Sequence, residues 1–464
     1  MTSFIAKTRE LFDRFDPKYV AFKRRVANFR YPSVKIGSLL SEPPEYGAGE
    51  AGIERLNDTT PRYIRITDID ENGELLPGLG MTAANVEPQY FLRDGDLLFA
   101  RSGNTVGKSY LHESERVSYP CFYAGYMIRF RFGEKVLPKY VFAFAQTPYY
   151  HEWVSAIQRS AGQPNINAQE YRSLEIPLPP LPEQRKIVAE LDAAYAAKRA
   201  ADERAAKLLA SIDEMVLKEL GIAKLPKPDT SLSSRIFTVP AREALNDRFD
   251  VHYNQNFFRD LADLIREDKR CCRLGSVGTF VRGVTYKSED EAECGHAILR
   301  ANNVSLEEFD IDLSDLVHVS SDLAFSPAQQ IKDDDILICA ASGSKEHAGK
   351  VAYVRNAPDD TYIGGFMMVL RTDAGVNPEY VAAYMQSSIF RGLIFRHLGG
   401  TNINNVSLEL LNKLPLILPD VAMQDGIALK ASSIRAEARK LKADATAALD
   451  AAKRKIEMEI VRER

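Results

Sequence analysis

The chain has 464 residues, 45% of them hydrophobic and 27% charged, enough apolar content for two or three domains. There is no apolar run of about 18 residues, and the start, Met1 to Lys7, lacks the charged head and apolar core of a signal peptide; a soluble, cytoplasmic protein is expected. The net charge of −4 does not mark a nucleic-acid binder, so any such contact has to come from local basic clusters.

The first third reads as short β-like runs rich in Val, Ile, Tyr and Phe between Gly, Asn and Asp turns, followed by a helical pattern from Lys139 to Gln158. Leu174 to Pro182 holds four prolines and predicts a stiff extended connector, because proline lacks a backbone donor and pushes the preceding residue toward extended geometry. From Glu183 to Leu220 there is neither proline nor glycine. Ile187, Leu191, Ala194, Lys198, Ala201, Ala205, Leu208, Ile212 and Met215 recur at alternating steps of four and three, which predicts one long helix with a coiled-coil seam. Its roughly 38 residues would reach about 57 Å. Gly221 ends it, and Ala223 to Ser234, with Pro226 and Pro228, reads as a linker. After a second β-like stretch and a helical pattern from Pro378 to Leu398, the chain from Met423 onward again lacks proline. Ile427, Ala431, Ile434, Ala438, Leu441 and Ala445 keep the same alternation, slipping by one near Ala448 and Leu449 before Ala452 and Ile456. Two such seams separated by a globular stretch can pair antiparallel.

Self-comparison shows a duplication. Asp13 to Tyr19 returns as Asp247 to Tyr253, and Lys35-Ile36-Gly37-Ser38 as Arg273-Leu274-Gly275-Ser276. Arg93 to Ala100 matches Lys332 to Cys339, each followed by a serine, a glycine and then Gly-Lys, at Gly107-Lys108 and Gly349-Lys350. Ala124-Gly125-Tyr126-Met127 echoes Gly364-Gly365-Phe366-Met367, and Val136 to Val141 echoes Val376 to Val381. Gly162 to Asn167 pairs with Gly399 to Asn404. The order is kept throughout, so a mixed α and β unit occurs twice.

Catalytic constellations are absent. Ser102-Gly103-Asn104-Thr105-Val106-Gly107-Lys108-Ser109 nearly spells a P-loop, but Ser102 stands where the first glycine is needed. No long amphipathic helix follows it, and the second copy carries Val351 in place of the hydroxyl. A small polar loop of this kind suits a DNA phosphate or groove in both copies; a plain glycine turn is the other reading. There is no H-E-x-x-H, no G-x-S-x-G and no Asn-Pro-Pro-Tyr-like tetrapeptide. Asp333-Asp334-Asp335 and Glu289-Asp290-Glu291 read as solvated turn acids, and His151, His296, His318, His347 and His397 are scattered and make no ligand spacing. The five cysteines contain no C-x-x-C pair and read as reduced core thiols. Basic and aromatic residues interleave at Arg129-Phe130-Arg131-Phe132, and Lys23-Arg24-Arg25 is a basic cluster; Arg65 and Arg300 sit at matched points of the repeat. Such arginines either pair locally or face DNA.

Gly162 to Asn167 followed by Leu174 to Val188, with its Ile176-Pro177-Leu178-Pro179-Pro180-Leu181-Pro182-Glu183-Gln184 core, resembles the specificity (S) subunits of type I restriction-modification systems. Gly95 to Leu98 and Gly107-Lys108 are also similar to that family, and the likeness runs over the whole chain, with a degenerate second proline motif at Leu414 to Asp420. The resemblance implies an α+β chain of two duplicated mixed α/β target recognition domains, 1–180 and 241–419, with a linker at 223–240. Two long antiparallel coiled-coil helices, 181–222 and 420–464, would separate them as a ruler.

It further implies a non-catalytic subunit that reads a bipartite double-stranded DNA target and binds no cofactor itself. Methyltransferase subunits, usually two, would dock on it and use S-adenosylmethionine, and a restriction motor-nuclease subunit would join for cleavage. Arg101, Ser102, Asn104 and Lys108, with Ser342, Ser344, Lys345 and Lys350, are expected at the DNA surface, and Val188, Tyr195 and Leu209 at a docked subunit. A pseudo-symmetric protein-binding scaffold without DNA recognition is the competing reading, and a nucleotide-binding protein the third.

Overall fold

The computed structural model describes residues 17–25, 29–103, 105–158, 164–224, 226, 229, 231–241, 248, 250–306, 308–398 and 404–461. Asn104, most of the Asp13 to Tyr19 repeat, Asp247 and Phe249 in its counterpart, Gly162-Gln163 and Gly399 to Ile403 lie outside the described residues, as does part of the linker. The chain forms two compact units, residues 1–200 with 443–464, and residues 201–442.

In the first unit, strand Leu97–Ala100 lies between Ser109–Leu111 and Met127–Phe130, with Glu45–Tyr46 beyond the latter. All four residues of Leu97–Ala100 are buried, as a central strand covered on both faces must be. A second four-stranded sheet is ordered Ile53–Glu54, Met81–Thr82, Arg62–Ile64, Cys121–Tyr123, its last pair parallel. The second unit repeats both sheets in the same order: Gly278–Arg282, Met367–Thr372, Ile336–Cys339, Val351–Tyr353, and Glu291–Ala292, Val317–Val319, His296–Leu299, Thr361–Ile363. The duplication read from sequence is therefore a duplication of topology.

Each helical pattern divides into two helices, Pro138–Ala145 with Pro148–Ile157 and Pro378–Gln386 with Ser388–His397. The break falls where a hydroxyl caps the second helix: Thr147 accepts from Tyr150 N and Ser387 from Phe390 N, both at 3.4 Å.

The proline strap is partly strand. Glu175–Pro177 pairs antiparallel with Ser33–Lys35, and Pro415–Ile417 with Cys271–Arg273. The first long helix then runs Leu181–Leu220 and the second Val421–Ile460. The first takes in Pro182, which the sequence reading left to the connector; proline is tolerated in a first turn, where its missing N–H has no partner to lose. The second starts before Met423 because the Asp420 carboxylate caps it, accepting from Met423 N at 2.9 Å. One glutamine fixes each helix start in the same way. Gln184 Oε1 accepts from Leu137 N and Gln424 Oε1 from Asn377 N, each at 2.9 Å, while their amide groups donate to Pro179 O and Pro419 O. The degenerate second motif thus keeps its bonding.

The two helices run antiparallel where they meet inside each unit. In the second unit Arg204 faces Glu437 at 3.8 Å and Glu219 faces Lys430 at 2.6 Å; in the first, Glu190 pairs with Lys455 at 2.9 Å. Ile187 and Leu191 share a core with Leu449 and Ile456, and Ala205 and Ile212 share one with Ile427, Ala431 and Ala438. Each buried leucine or isoleucine contributes about 1.5 to 3 kcal/mol by leaving water. Tyr195 and Leu209, expected on the flank facing a partner, are buried instead. Tyr195 packs on Phe142 and donates to Asn72 O at 2.5 Å, so the helix also buries a flank against its own unit. Val188 is half-buried against the same core.

Two further expectations change. Asp335 is not a solvated turn acid: it is buried, and Arg371 Nε donates to it at 2.7 Å. Its counterpart Asp96 holds Arg131 at the same distance. Among the cysteines, Cys121 and Cys339 are buried but Cys294 is exposed, and burial pushes the Cys121 thiol up to about 12.

Candidate nucleic-acid interface

Each unit carries a polar loop between two strands of its first sheet. In the first unit a loop, described at residues 101–103 and 105–108, joins strand Leu97–Ala100 to strand Ser109–Leu111. A strand after Lys108, where a P-loop needs a helix N-terminus, removes the phosphate cradle that motif requires. Gly107 adopts φ +90, and a Cβ there would lie 2.7 Å from the Val154 side chain, so a turn and a close approach both require glycine. The second loop, between Ile336–Cys339 and Val351–Tyr353, closes likewise, Gly349 N donating to Cys339 O at 2.8 Å.

A distant segment is stitched to each loop. Ser102 bridges Asn165, and Ile166 N donates to Arg101 O at 2.8 Å. In the second unit Ala341 pairs with Asn405, and Val406 N donates to Ala340 O at 2.7 Å. Asn167 and Ser407 then cap the following helices, Ala168–Ser173 and Leu408–Lys413. These bonds equate Asn165-Ile166-Asn167 with Asn405-Val406-Ser407. The pairing with Asn402 to Asn404 read from sequence was three residues out, because a matching Asn-Ile-Asn string outweighed the cap that fixes the true register.

The two lysines of the Gly-Lys pairs act inward. Lys108 Nζ donates to Ile69 O at 3.2 Å and meets Glu71 at 2.7 Å, while Lys350 Nζ donates to Val304 O at 2.7 Å. Lys350 is buried, and that burial pulls its ammonium below the usual lysine range. Both lysines brace the loop against the turn that bears the matched arginine, Arg65 or Arg300, and Lys350 does not stand at an open surface as the sequence suggested.

Of the other residues expected at DNA, Ser344 and Lys345 are exposed, and Ser102 and Ser342 are half-buried. Ser342 lines a cleft of about 730 Å³ with Asn302, Ser305, His347 and Lys350. Arg101 is half-buried with its guanidinium 4.8 Å from the centre of the Tyr46 ring, and its Nε lacks a hydrogen-bond partner among the described residues. The interleaved arginines resolve as local pairs: Arg131 on Asp96 and Glu42, and buried Arg129 on Glu45 and Gln89 O.

Sequence reasoning missed two features. Arg65 is clasped by Asp68 through two hydrogen bonds of 3.0 and 2.9 Å, whereas Arg300 lies 3.8 Å from Asp315 and its Nε has no hydrogen-bond partner among the described residues. Tyr126 and Phe366 stand 65% and 71% exposed at the same tight turn of the two units. Their recurrence between glycine and methionine in both copies was the available signal.

Among the described residues no group of three or more His, Cys, Asp or Glu could hold a metal, and no helix is long and apolar enough to cross a membrane. Residues 63–207 match the family model described as the type I restriction modification DNA specificity domain. The chain is 34% identical over 174 residues to the StySPI type I restriction enzyme specificity subunit of Salmonella potsdam. It is 33% identical over 174 residues to the EcoKI specificity subunit of Escherichia coli K12. Each alignment spans 37% of this chain and 37% of the relative. A solved type I S subunit from M. genitalium is similar at 14% identity and a TM-score of 0.40, over 92% of this chain and 96% of that one.

Proposed function

We propose that the chain is the DNA sequence-specificity subunit of a type I restriction-modification complex, with each unit reading one half of a bipartite target. The observation that carries this reading is the match of residues 63–207 to the DNA specificity domain, in a unit whose sheet orders the second unit repeats. In this role the chain recognises and does no chemistry. Its antiparallel helices serve as the spacer and as the seat for methyltransferase subunits, which supply S-adenosylmethionine chemistry, and restriction subunits join that assembly. Loop residues such as Arg101, Ser102, Asn104, Ser342, Ser344 and Lys345 would lie toward the duplex, while Lys108 and Lys350 hold the loops in shape. The half-buried Val188 is the remaining candidate of the three for a partner contact.

Binding of the chain with its methyltransferase to duplex DNA, measured against salt, tests this. Affinity should fall linearly on a log-log plot with a slope of about −0.9 for each phosphate contacted, and one sequence should be preferred. Salt-independent binding without sequence preference would instead favour a protein scaffold.

A further inference from the structure

A large ring held in water at the same place in two duplicated units calls for a reason. Met127 N donates to Ala124 O at 2.9 Å and Met367 N to Gly364 O at 2.8 Å, so Tyr126 and Phe366 occupy the same position of two four-residue turns. Each turn is fastened to the polar loop of its own unit: Arg101 N donates to Tyr126 O at 2.9 Å, and Ala340 N to Phe366 O at 2.8 Å. It is also clamped from the other side. A Cβ on Gly47 would lie 2.4 Å from Ala124 O, and one on Gly283 1.9 Å from Gly364 O, so a neighbouring strand passes too close for any side chain. The rings are thus carried on rigid tips.

Beside Phe366 a cleft of about 560 Å³ opens, lined also by Tyr286, Glu291, Arg300 and Asn302. Its polar groups are mixed. Arg300 donates, Glu291 accepts, and Asn302 does both. A phosphate would meet the Glu291 carboxylate unfavourably, whereas a base edge presents donors and acceptors together and a flat face to the ring. The Arg300 guanidinium is held less tightly than that of Arg65, because Asn303, unlike Asp68 in the first unit, caps its turn without a charge, Arg300 N donating to Asn303 Oδ1 at 2.9 Å, and the Asp315 carboxylate stands off at 3.8 Å.

We propose that Phe366, and Tyr126 at the same turn of the first unit, are aromatic wedges that stack on a base in the half-site read by their own unit, with Arg300 taking the edge of that base from the cleft wall. The proposal rests on the reading that both units bind DNA. Apolar or aromatic side chains presented at a tip can enter a base step, and a stacked base is sequence-tolerant until an edge contact such as an arginine selects it.

The test uses the chain assembled with its methyltransferase and fluorescent duplexes carrying the full target or one altered half-site. Phe366→Ala should weaken binding about tenfold and flatten the preference at one or two adjacent positions of a single half-site, while Phe366→Trp retains both. Tyr126→Ala should do the same in the opposite half. Because both rings are exposed, the alanine variants should melt as the wild type does. Phe366→Ala binding within twofold of wild type with unchanged preference overturns the proposal, and so does equal loss in both halves. If the wild type itself prefers no sequence, the specificity reading has failed first and the wedge fails with it.

Discussion

In the first unit the Arg65 guanidinium is locked onto Asp68 by two hydrogen bonds; in the second, Asn303 closes the same turn and the Arg300 Nε has no hydrogen-bond partner among the described residues. Elsewhere several framework bonds recur in both units. Asp96 with Arg131 matches Asp335 with Arg371, Gln184 matches Gln424, and Tyr140 and Tyr380 donate to the backbone of matched strap strands at Pro177 and Ile417. One set of interactions holds the fold and is repeated. Another, on the loops facing solvent, changes by as little as a carboxylate for an amide, and that change alters the freedom of an arginine.

The largest expected effect tests whether the framework is shared. Gly283→Ala sets a methyl 1.9 Å from Gly364 O, and Gly47→Ala sets one 2.4 Å from Ala124 O. Each should cost about 3 kcal/mol or more in denaturant unfolding, with hydrogen exchange placing the damage in its own unit. If either is accepted without loss, the two clamps are not equivalent. A smaller effect separates the braces. Lys350→Ala leaves the Val304 carbonyl unsatisfied in a buried site and should cost about 2 kcal/mol; Lys108→Ala, at a more exposed ammonium, should cost about 1 kcal/mol. Equal thermal shifts would remove that distinction.

The smallest effect is the most informative about reading. Asn303→Asp would give Arg300 the carboxylate that Arg65 already has and should lower affinity for one half-site about tenfold; it should also lower the melting temperature, because the buried Asn303 amide donates to Asp312 O at 3.1 Å and Asp315 O at 2.9 Å. Asp68→Asn should release Arg65 and alter only the other half-site. Unchanged half-site preferences in both variants would assign these arginines to the fold.

Much of the architecture was legible in the sequence for identifiable reasons. A stretch without proline or glycine whose apolar residues alternate by four and three has few options besides a long helix with a seam, and Ile187, Leu191, Ile212, Ile427 and Ile456 are buried as that seam requires. What escaped were contacts made across the chain. Nothing in helical spacing says that Tyr195 reaches Asn72, or that Leu209 is covered by its own unit. The inward lysines follow the same logic, because a Gly-Lys pair specifies a turn and a charge but not the carbonyl that the charge will find. The register of Asn405-Val406-Ser407 was hidden by a stronger identity upstream, and only the helix cap exposed it. Of the interface, the loops were readable as strings while the aromatic tips were not, since a single tyrosine or phenylalanine is usually core.

The central claim is that each unit reads its own half of a divided target. Mapping N6-methyladenine across a genome that expresses the chain with its methyltransferase, beside the same system carrying Arg300→Ala, tests it most directly. The account predicts a bipartite motif in the first map and, in the second, relaxation confined to one half. A single contiguous motif, or relaxation spread over both halves, would contradict it.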